Sequence, residues 1–220
     1  MFIRGSMSIN ICYDDIFKIG FEDIRDKIVV IPVNTAFDTI VDESIVNVSK
    51  TLVSPNTIHG KFIKALMKYG MSKDEIDRRI MSFFDIKNIH PVMIYPLKYR
   101  PRGKRAIYEF GSVSVIEYMH TTFFLLALSE FNDNNNAQCN QDQFICAVQR
   151  LIYFCDRYSQ GKNIYIPLLG TNLSRVNMAH KESLQSMVSL FKLYSRNLHN
   201  KINIVIYTGD KNKVSIYDAQ

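Results

Sequence analysis

Lys162-Asn163-Ile164-Tyr165-Ile166-Pro167-Leu168-Leu169-Gly170-Thr171-Asn172-Leu173-Ser174-Arg175 reads as a buried strand that ends in a Gly-Thr-Asn turn, with an amphipathic helix close behind it. A glycine turn at the carboxyl end of a strand leaves backbone N–H groups unpaired, and the dipole of the following helix adds to them. That is how α/β folds hold phosphates. A second turn of this kind follows the run Ile28-Val29-Val30-Ile31-Pro32-Val33, in Asn34-Thr35-Ala36-Phe37-Asp38-Thr39. Two such turns in one domain imply a site for a diphosphate flanked by sugars, a nucleotide-like ligand.

The rest of the chain supplies the scaffold. Residues 8–16 alternate loosely and predict a first strand, and the β-branched run 28–33 suits a strand covered on both faces. Residues 35–58 are polar and irregular, long for a structureless loop, and such loops tend to be functional. Residues 60–69 read as a helix. Ser72-Lys73-Asp74-Glu75 is a capping box for the next one, with Ile76, Ile80 and Phe83 on its apolar side. Residues 92–95 predict a short strand, 106–118 and 121–131 neighbouring strands, and 132–140 an exposed connection. Asn140 with Gln143 starts a helix striped by Phe144, Val148, Leu151, Ile152 and Cys155. Strand 163–168, turn 169–176, a helix to about residue 196, and strands 202–207 and 214–217 complete the pattern. Strand–helix–strand–helix–strand argues a largely parallel sheet with helices on both faces.

The 220 residues, 47% hydrophobic and 22% charged, suffice for one domain with a sizeable core. No apolar run reaches the roughly 18 residues of a membrane span, and there is no signal-peptide pattern. Residues 1–6, followed by a second methionine, read as a vector-derived leader with a Gly5-Ser6 cloning scar, so 7–220 is taken as the domain. Anything that preceded it in a parent protein would then be missing. The four cysteines, Cys12, Cys139, Cys146 and Cys155, show no metal-ligand spacing and read as reduced thiols of a cytosolic protein. Of the +6 net charge, five charges lie in Lys98-Tyr99-Arg100-Pro101-Arg102-Gly103-Lys104-Arg105, leaving about +1 elsewhere. The basicity is local rather than a nucleic-acid footprint. It reads first as a solvated loop, with a contact for an anionic ligand or partner as the alternative.

From about Ile9 onward these segments, in this order, resemble a macro domain, the ADP-ribose-binding fold. Cys12-Tyr13-Asp14-Asp15-Ile16 stands where that family has Gly-Asp-Ile, and Val30-Ile31-Pro32-Val33-Asn34 is similar to its strand ending in asparagine. Ser54-Pro55-Asn56-Thr57-Ile58-His59-Gly60 stands at the first phosphate loop, and Ile166-Pro167-Leu168-Leu169-Gly170-Thr171-Asn172 at the second. Ile204-Val205-Ile206-Tyr207 takes the place of the aromatic-ended last strand. The resemblance implies a three-layer α/β/α fold with a mixed, largely parallel central sheet. The variants Val33–Thr39 and Ser54–Phe62 look most like the macro domains of Thoeris anti-phage defence effectors, which are often fused to N-terminal transmembrane helices. In that setting the resemblance implies a sensor. A TIR-domain enzyme converts NAD into an ADP-ribose derivative, a histidine conjugate in this branch, and the macro domain receives it. It further implies a cytoplasmic domain whose parent is anchored in the inner membrane through a segment absent from this chain. No cofactor, metal or nucleic-acid partner is expected, and an oligomer is left open.

The same resemblance distributes roles, each with a plainer alternative. Asp15 is the candidate for the adenine amine, with the Ile16 N–H beside it, or else a solvated turn residue. Asn34 offers an amide to ribose hydroxyls, or forms a turn. Thr35, Phe37, Asp38 and Thr39 follow it, Phe37 covering the distal ribose or tucking into the core edge. Ser54, Ile58, His59, Gly60 and Lys61 make the first phosphate loop, His59 and Lys61 being more commonly a structural and a solvent-facing residue. Leu168, Leu169, Gly170, Thr171, Asn172 and Leu173 make the second, with Arg175 for charge pairing. Tyr207 stacks near adenine or simply ends a strand at the sheet rim. No residue is assigned to catalysis. Hydrolytic macro domains resemble one another in an Asn-Ala-Ala-Asn signature and a glycine-rich first loop. Here Asn34 is followed by Thr35-Ala36-Phe37 and the glycine run is missing. A binding module is expected, with an ADP-ribosyl hydrolase using an Asn34-positioned water as the alternative.

Overall fold

The computed structural model describes residues 2–4, 7–42, 52–131, 137–171, 178–194 and 199–219. The first half of the chain forms β1 (Phe2–Arg4), β2 (Met7–Asp14), α1 (Ile16–Phe21), β3 (Lys27–Asn34), α2 (Ile58–Lys68) and α3 (Lys73–Lys87). Then come β4 (Met93–Ile94), β5 (Ala106–Ile107), β6 (Val113–Tyr118), β7 (Thr121–Phe131) and β8 (Ala137–Gln138). The last part forms α4 (Gln141–Tyr158), β9 (Asn163–Pro167), α5 (His180–Tyr194) and β10 (Lys201–Tyr207).

The sheet runs in the order β1-β2-β10-β9-β3-β7-β6, with β8 also paired to β7. Strands β2, β10, β9, β3 and β7 are mutually parallel. Strands β1, β6 and β8 run antiparallel to their neighbours. The β-branched run in β3 is explained by its place inside this sheet. Val29, Ile31 and Val33 join Phe62, Ile63 and Leu66 of α2 and Ile76, Ile80 and Phe84 of α3 on one face, where Ile16 and Ile19 of α1 also pack. Ile28 and Val30 join Phe144, Val148, Leu151 and Ile152 of α4 and Leu184, Met187 and Phe191 of α5 on the other. Three layers result, as expected, and each large side chain buried this way contributes roughly 1.5–3 kcal/mol.

Several local expectations are corrected. Residues 8–16 are not one strand, because Asp15 caps α1 by accepting the Phe17 N–H. Phe84 rather than Phe83 continues the Ile76–Ile80 stripe, as a four-residue helical step requires. Ser72 accepts the Glu75 N–H, but the Glu75 carboxylate pairs with Arg78 and Arg79. In α4, by contrast, both bonds of the Asn140–Gln143 box form. Residues 106–118 divide into β5 and β6, and β5 pairs with β4 in a separate ribbon. Residues 214–217 make turns clamped by Tyr13, whose hydroxyl donates to the Val214 carbonyl and accepts from the Ile216 N–H. Residues 2–4 pair onto β2 as an edge strand, which leaves their reading as part of a leader untouched.

Cys139 and Cys155 are buried, and burial pushes both thiols up, Cys139 to about 12, so they stay protonated. Among the described residues no helix is long and apolar enough to cross a membrane.

Candidate functional site

Strands β3 and β9 are neighbours whose connections leave in opposite directions. β3 leads through α2 and α3 towards β6 and β7, while β9 leads through α5 to β10. At such a switch point the crevice beyond the carboxyl ends is where open α/β sheets bind ligands. The two strands pair only from Lys27↔Asn163 to Val29↔Tyr165, although β3 continues to Asn34 and β9 to Pro167. Because β2, β10, β9 and β3 are parallel, the segments that follow them emerge at one edge of the sheet. These are Asp15–Ile16, Tyr207, Leu168–Thr171 and Asn34–Thr39. Of the predicted site residues, Asp15, Ile16, Asn34, Leu168–Thr171 and Tyr207 stand at or just beyond these strand ends, while Ser54–Lys61 belong to the start of α2.

On the β9 side the turn is tied down at once. The Leu168 N–H donates to the Val205 carbonyl at 3.0 Å, and the Leu169 N–H to Met187 Sδ at 3.4 Å. The Leu169 carbonyl accepts from Ser183 Oγ. Thr171 Oγ1 reaches back to the Leu168 carbonyl at 3.5 Å. Gly170 takes φ +80°, and its N–H takes no part in these contacts, whereas those of Leu168 and Leu169 do. Asn172, Leu173 and Arg175 lie outside the described residues.

On the α2 side Thr57 is the cap. Its hydroxyl accepts the Gly60 N–H at 3.0 Å and donates to the Ser54 carbonyl at 2.8 Å. The Lys61 N–H already bonds to the Thr57 carbonyl, and its side chain is exposed. The donors heading the helix without an intrahelical acceptor are therefore Ile58 and His59 rather than Gly60 and Lys61. Gly60 is needed for another reason, since a Cβ there would lie 2.2 Å from the Ser54 carbonyl oxygen. His59 is buried, and burial pushes its imidazole down to about 3, against a hydrogen bond with the Asp38 backbone. It is neutral at physiological pH.

The β3 side departs most from expectation. Asn34 Nδ2 donates to Asp38 Oδ2 at 3.0 Å and to the Leu52 carbonyl at 3.5 Å, and Asn34 Oδ1 accepts the Asp38 N–H at 3.1 Å. The amide assigned to ribose is thus closed into a ring with its own loop. Phe37, at φ +53°, turns its ring into the core against Phe84 and Tyr108, with centroids 4.9 and 5.7 Å apart, the plainer of its two readings. Thr35 is buried behind it, and Thr39 Oγ1 donates to Asp77 Oδ1 at 2.8 Å. Asp38 is fully buried. Burial pushes its carboxyl up, opposed by Arg100, the Lys104 N–H and Asn34.

These partners correct the reading of the basic loop as solvated. Arg100 pairs with Asp38, Arg102 with Asp42, and Lys104 with Asp77 at 2.6 Å. The sequence did hold a signal for this, since residues 28–49 contain no lysine or arginine while 98–105 contain no acid.

At the far end Asp15 Oδ1 accepts the Phe17 N–H at 2.8 Å, and its carboxylate is half-buried at the sheet edge. Tyr207 pairs in register with Asp14 and is 56% exposed, standing at the rim beside Asp15. Among the described residues no group of three His, Cys, Asp or Glu could hold a metal ion. A cleft of about 640 Å³ lies elsewhere, between α4 and α5, lined by Phe144, Ile145, Glu182, Gln185 and Leu190. It is a seam between helix faces and has none of the strand-end N–H donors that recommend the β3–β9 crevice.

The family model for the macro domain of Thoeris protein ThsA matches residues 9–207. Thoeris protein ThsA of Bacillus amyloliquefaciens (strain Y2) is 27% identical over 222 residues, spanning 98% of this chain and 67% of that relative. Among solved structures, a mutant of the Oceanobacillus iheyensis macrodomain superposes with a TM-score of 0.56 over 97% of this chain and 90% of that one, at 9% identity. The same macrodomain with MES bound gives 0.56 over 97% and 89%, again at 9% identity. Likeness at that identity speaks to the fold alone.

Proposed function

The chain belongs to the family of Thoeris ThsA macro domains, and we propose that its β3–β9 crevice binds an ADP-ribose-derived nucleotide as a signal in anti-phage defence. The observation that carries this reading is the switch point between β3 and β9, with the Leu168–Thr171 turn following one strand and the turn into α2 reached from the other. Each turn presents main-chain N–H groups, Ile58 and His59 from one and Gly170 from the other, and a diphosphate accepts them with the α2 dipole behind it. The adenine then lies towards Asp15, Ile16 and Tyr207, and the distal ribose towards the wall Asn34–Thr39. From β2 to β3 are three strand spacings, about 14 Å. The Asn34 ring with Asp38 makes that residue a shaper of the wall.

The signal we propose is an ADP-ribose conjugate, histidine-ADP-ribose made by a TIR-domain enzyme, received by a domain whose parent is held at the inner membrane. Binding is favoured over hydrolysis because the Asn34 amide is tied to Asp38 and the Leu52 carbonyl, and the Asn-Ala-Ala-Asn signature is incomplete. Calorimetry tests the reading. Tight binding of the conjugate, weaker binding of ADP-ribose and poor binding of NAD are expected, and no heat with any of the three overturns it. Incubation with ADP-ribosylated protein is expected to show no release; release abolished by Asn34→Ala would establish the hydrolase instead.

A further inference from the structure

The α2 half of this crevice is not positioned by the sheet directly. Residues 35–57 separate Asn34 from Ile58, and their described parts are fastened from outside by residues 96–105. The Arg100 guanidinium lies on the Asp38 carboxylate, whose Oδ1 also accepts the Lys104 N–H at 2.8 Å. Lys104 Nζ donates to the Phe37 carbonyl at 2.7 Å and bridges to Asp77 on α3. Arg102 lies on Asp42, whose other oxygen accepts the Leu52 N–H at 2.7 Å. The Asp42 N–H in turn bonds to the Val53 carbonyl at 3.0 Å. Leu52 and Val53 lead straight into Ser54, whose carbonyl holds Thr57, the cap that aims the first turn of α2. His59, one of the two donors, packs under the Asp38 backbone.

The fit is close. Gly103 takes φ +77°, and a Cβ there would lie 2.5 Å from Asp38 Oδ1 and 3.0 Å from Leu52 Cδ1. Exposed ion pairs hold little, but the Asp38 side chain is fully buried and that of Arg100 is 13% exposed. Removing one partner leaves the other uncompensated in the interior, which disfavours this packing of the segment.

We propose that Arg100, Gly103 and Lys104 are positioning residues that set the Ile58 and His59 donors against Gly170, and so set ligand affinity. This rests on the binding reading above. The basic cluster would then serve the site indirectly, by fixing its longest loop.

The experiment compares Arg100→Gln and Gly103→Ala with Leu151→Ala, a core truncation under α4 on the opposite face of the sheet. ADP-ribose affinity is measured by calorimetry, melting temperature by scanning, and amide hydrogen exchange by mass spectrometry. The Arg100 and Gly103 variants of the 96–105 segment, a strap over the loop, are expected to weaken ADP-ribose binding roughly tenfold or more and to speed exchange at 52–61 but not at 163–170. Leu151→Ala is expected to lower the melting temperature while leaving affinity within about twofold. Should Arg100→Gln not fold, Arg100→Lys, which keeps the charge and loses the fork, carries the same comparison. Unchanged affinity in the strap variants overturns the proposal. So does an equal loss in Leu151→Ala, or weakened binding with no change of exchange at 52–61, which would mark Arg100 as a direct ligand contact. If the wild type binds no ADP-ribose, the functional reading fails, while the exchange arm still decides whether the strap fixes 52–61.

Discussion

The two junctions that flank the crevice are built by opposite means. Leu168–Gly170 leaves β9 and is held at once by Val205, Met187 and Ser183, all on elements packed beside it. The start of α2 arrives only after residues 35–57, and the loop before it is fastened by charges brought from a distant stretch of chain onto the buried Asp38 and Asp42. A short tie transmits the precision of the sheet. A long loop needs a lock, and a lock made of buried ions responds to charge removal and to pH in ways the β9 turn does not.

The largest expected effect therefore comes from the lock. Asp38→Ala leaves Arg100 without its buried partner and is expected to lower unfolding free energy by about 3–5 kcal/mol, measured by urea titration. A cost below about 1 kcal/mol would mean the pair behaves as a surface one.

The pH response is next. The folded-state pKa of His59 is near 3, below its ordinary 6.5, so the unfolded chain takes up this proton first. The stability involved is complete above about pH 6.5 and is lost as pH falls towards 3, by up to about 1.4 kcal/mol per pH unit. His59→Gln should flatten that part of the curve relative to the wild type, and parallel curves would contradict the assignment. The smallest effect belongs to the β9 turn. Ser183→Ala removes one hydrogen bond to the Leu169 carbonyl and is expected to cost about 1 kcal/mol, with ADP-ribose affinity changed only a few-fold. A loss of binding as large as that of the strap variants would erase the contrast between the halves.

What could be read from the sequence follows the same division. Strands β3 and β9 and the Gly170 turn were legible because apolar runs, glycine and the helix that follows are contiguous signals. The stripe of α4 is legible from helical periodicity, and the phase of α3 slips by one residue, at Phe83 and Phe84. The wall of the crevice was not legible. Whether Phe37 faces a sugar or the core depends on one left-handed backbone angle that sends its ring to Phe84. Asp38 meets Arg100 across 62 residues of chain, a pairing that no local pattern encodes, although the segregation of acid and base into separate stretches was visible. A strand-end asparagine such as Asn34 looks available to a ligand until the Asp38 and Leu52 partners of its amide are in view.

The central claim is that one ligand spans the switch point between β3 and β9. Titration of isotope-labelled protein with ADP-ribose, followed by amide NMR, tests it most directly. The largest shifts are expected at Ile58, His59 and Gly170, with Asp15 and Tyr207 responding to the adenine. Shifts confined to the α4–α5 cleft around Ile145 and Leu190, or to only one of the two turns, would contradict it.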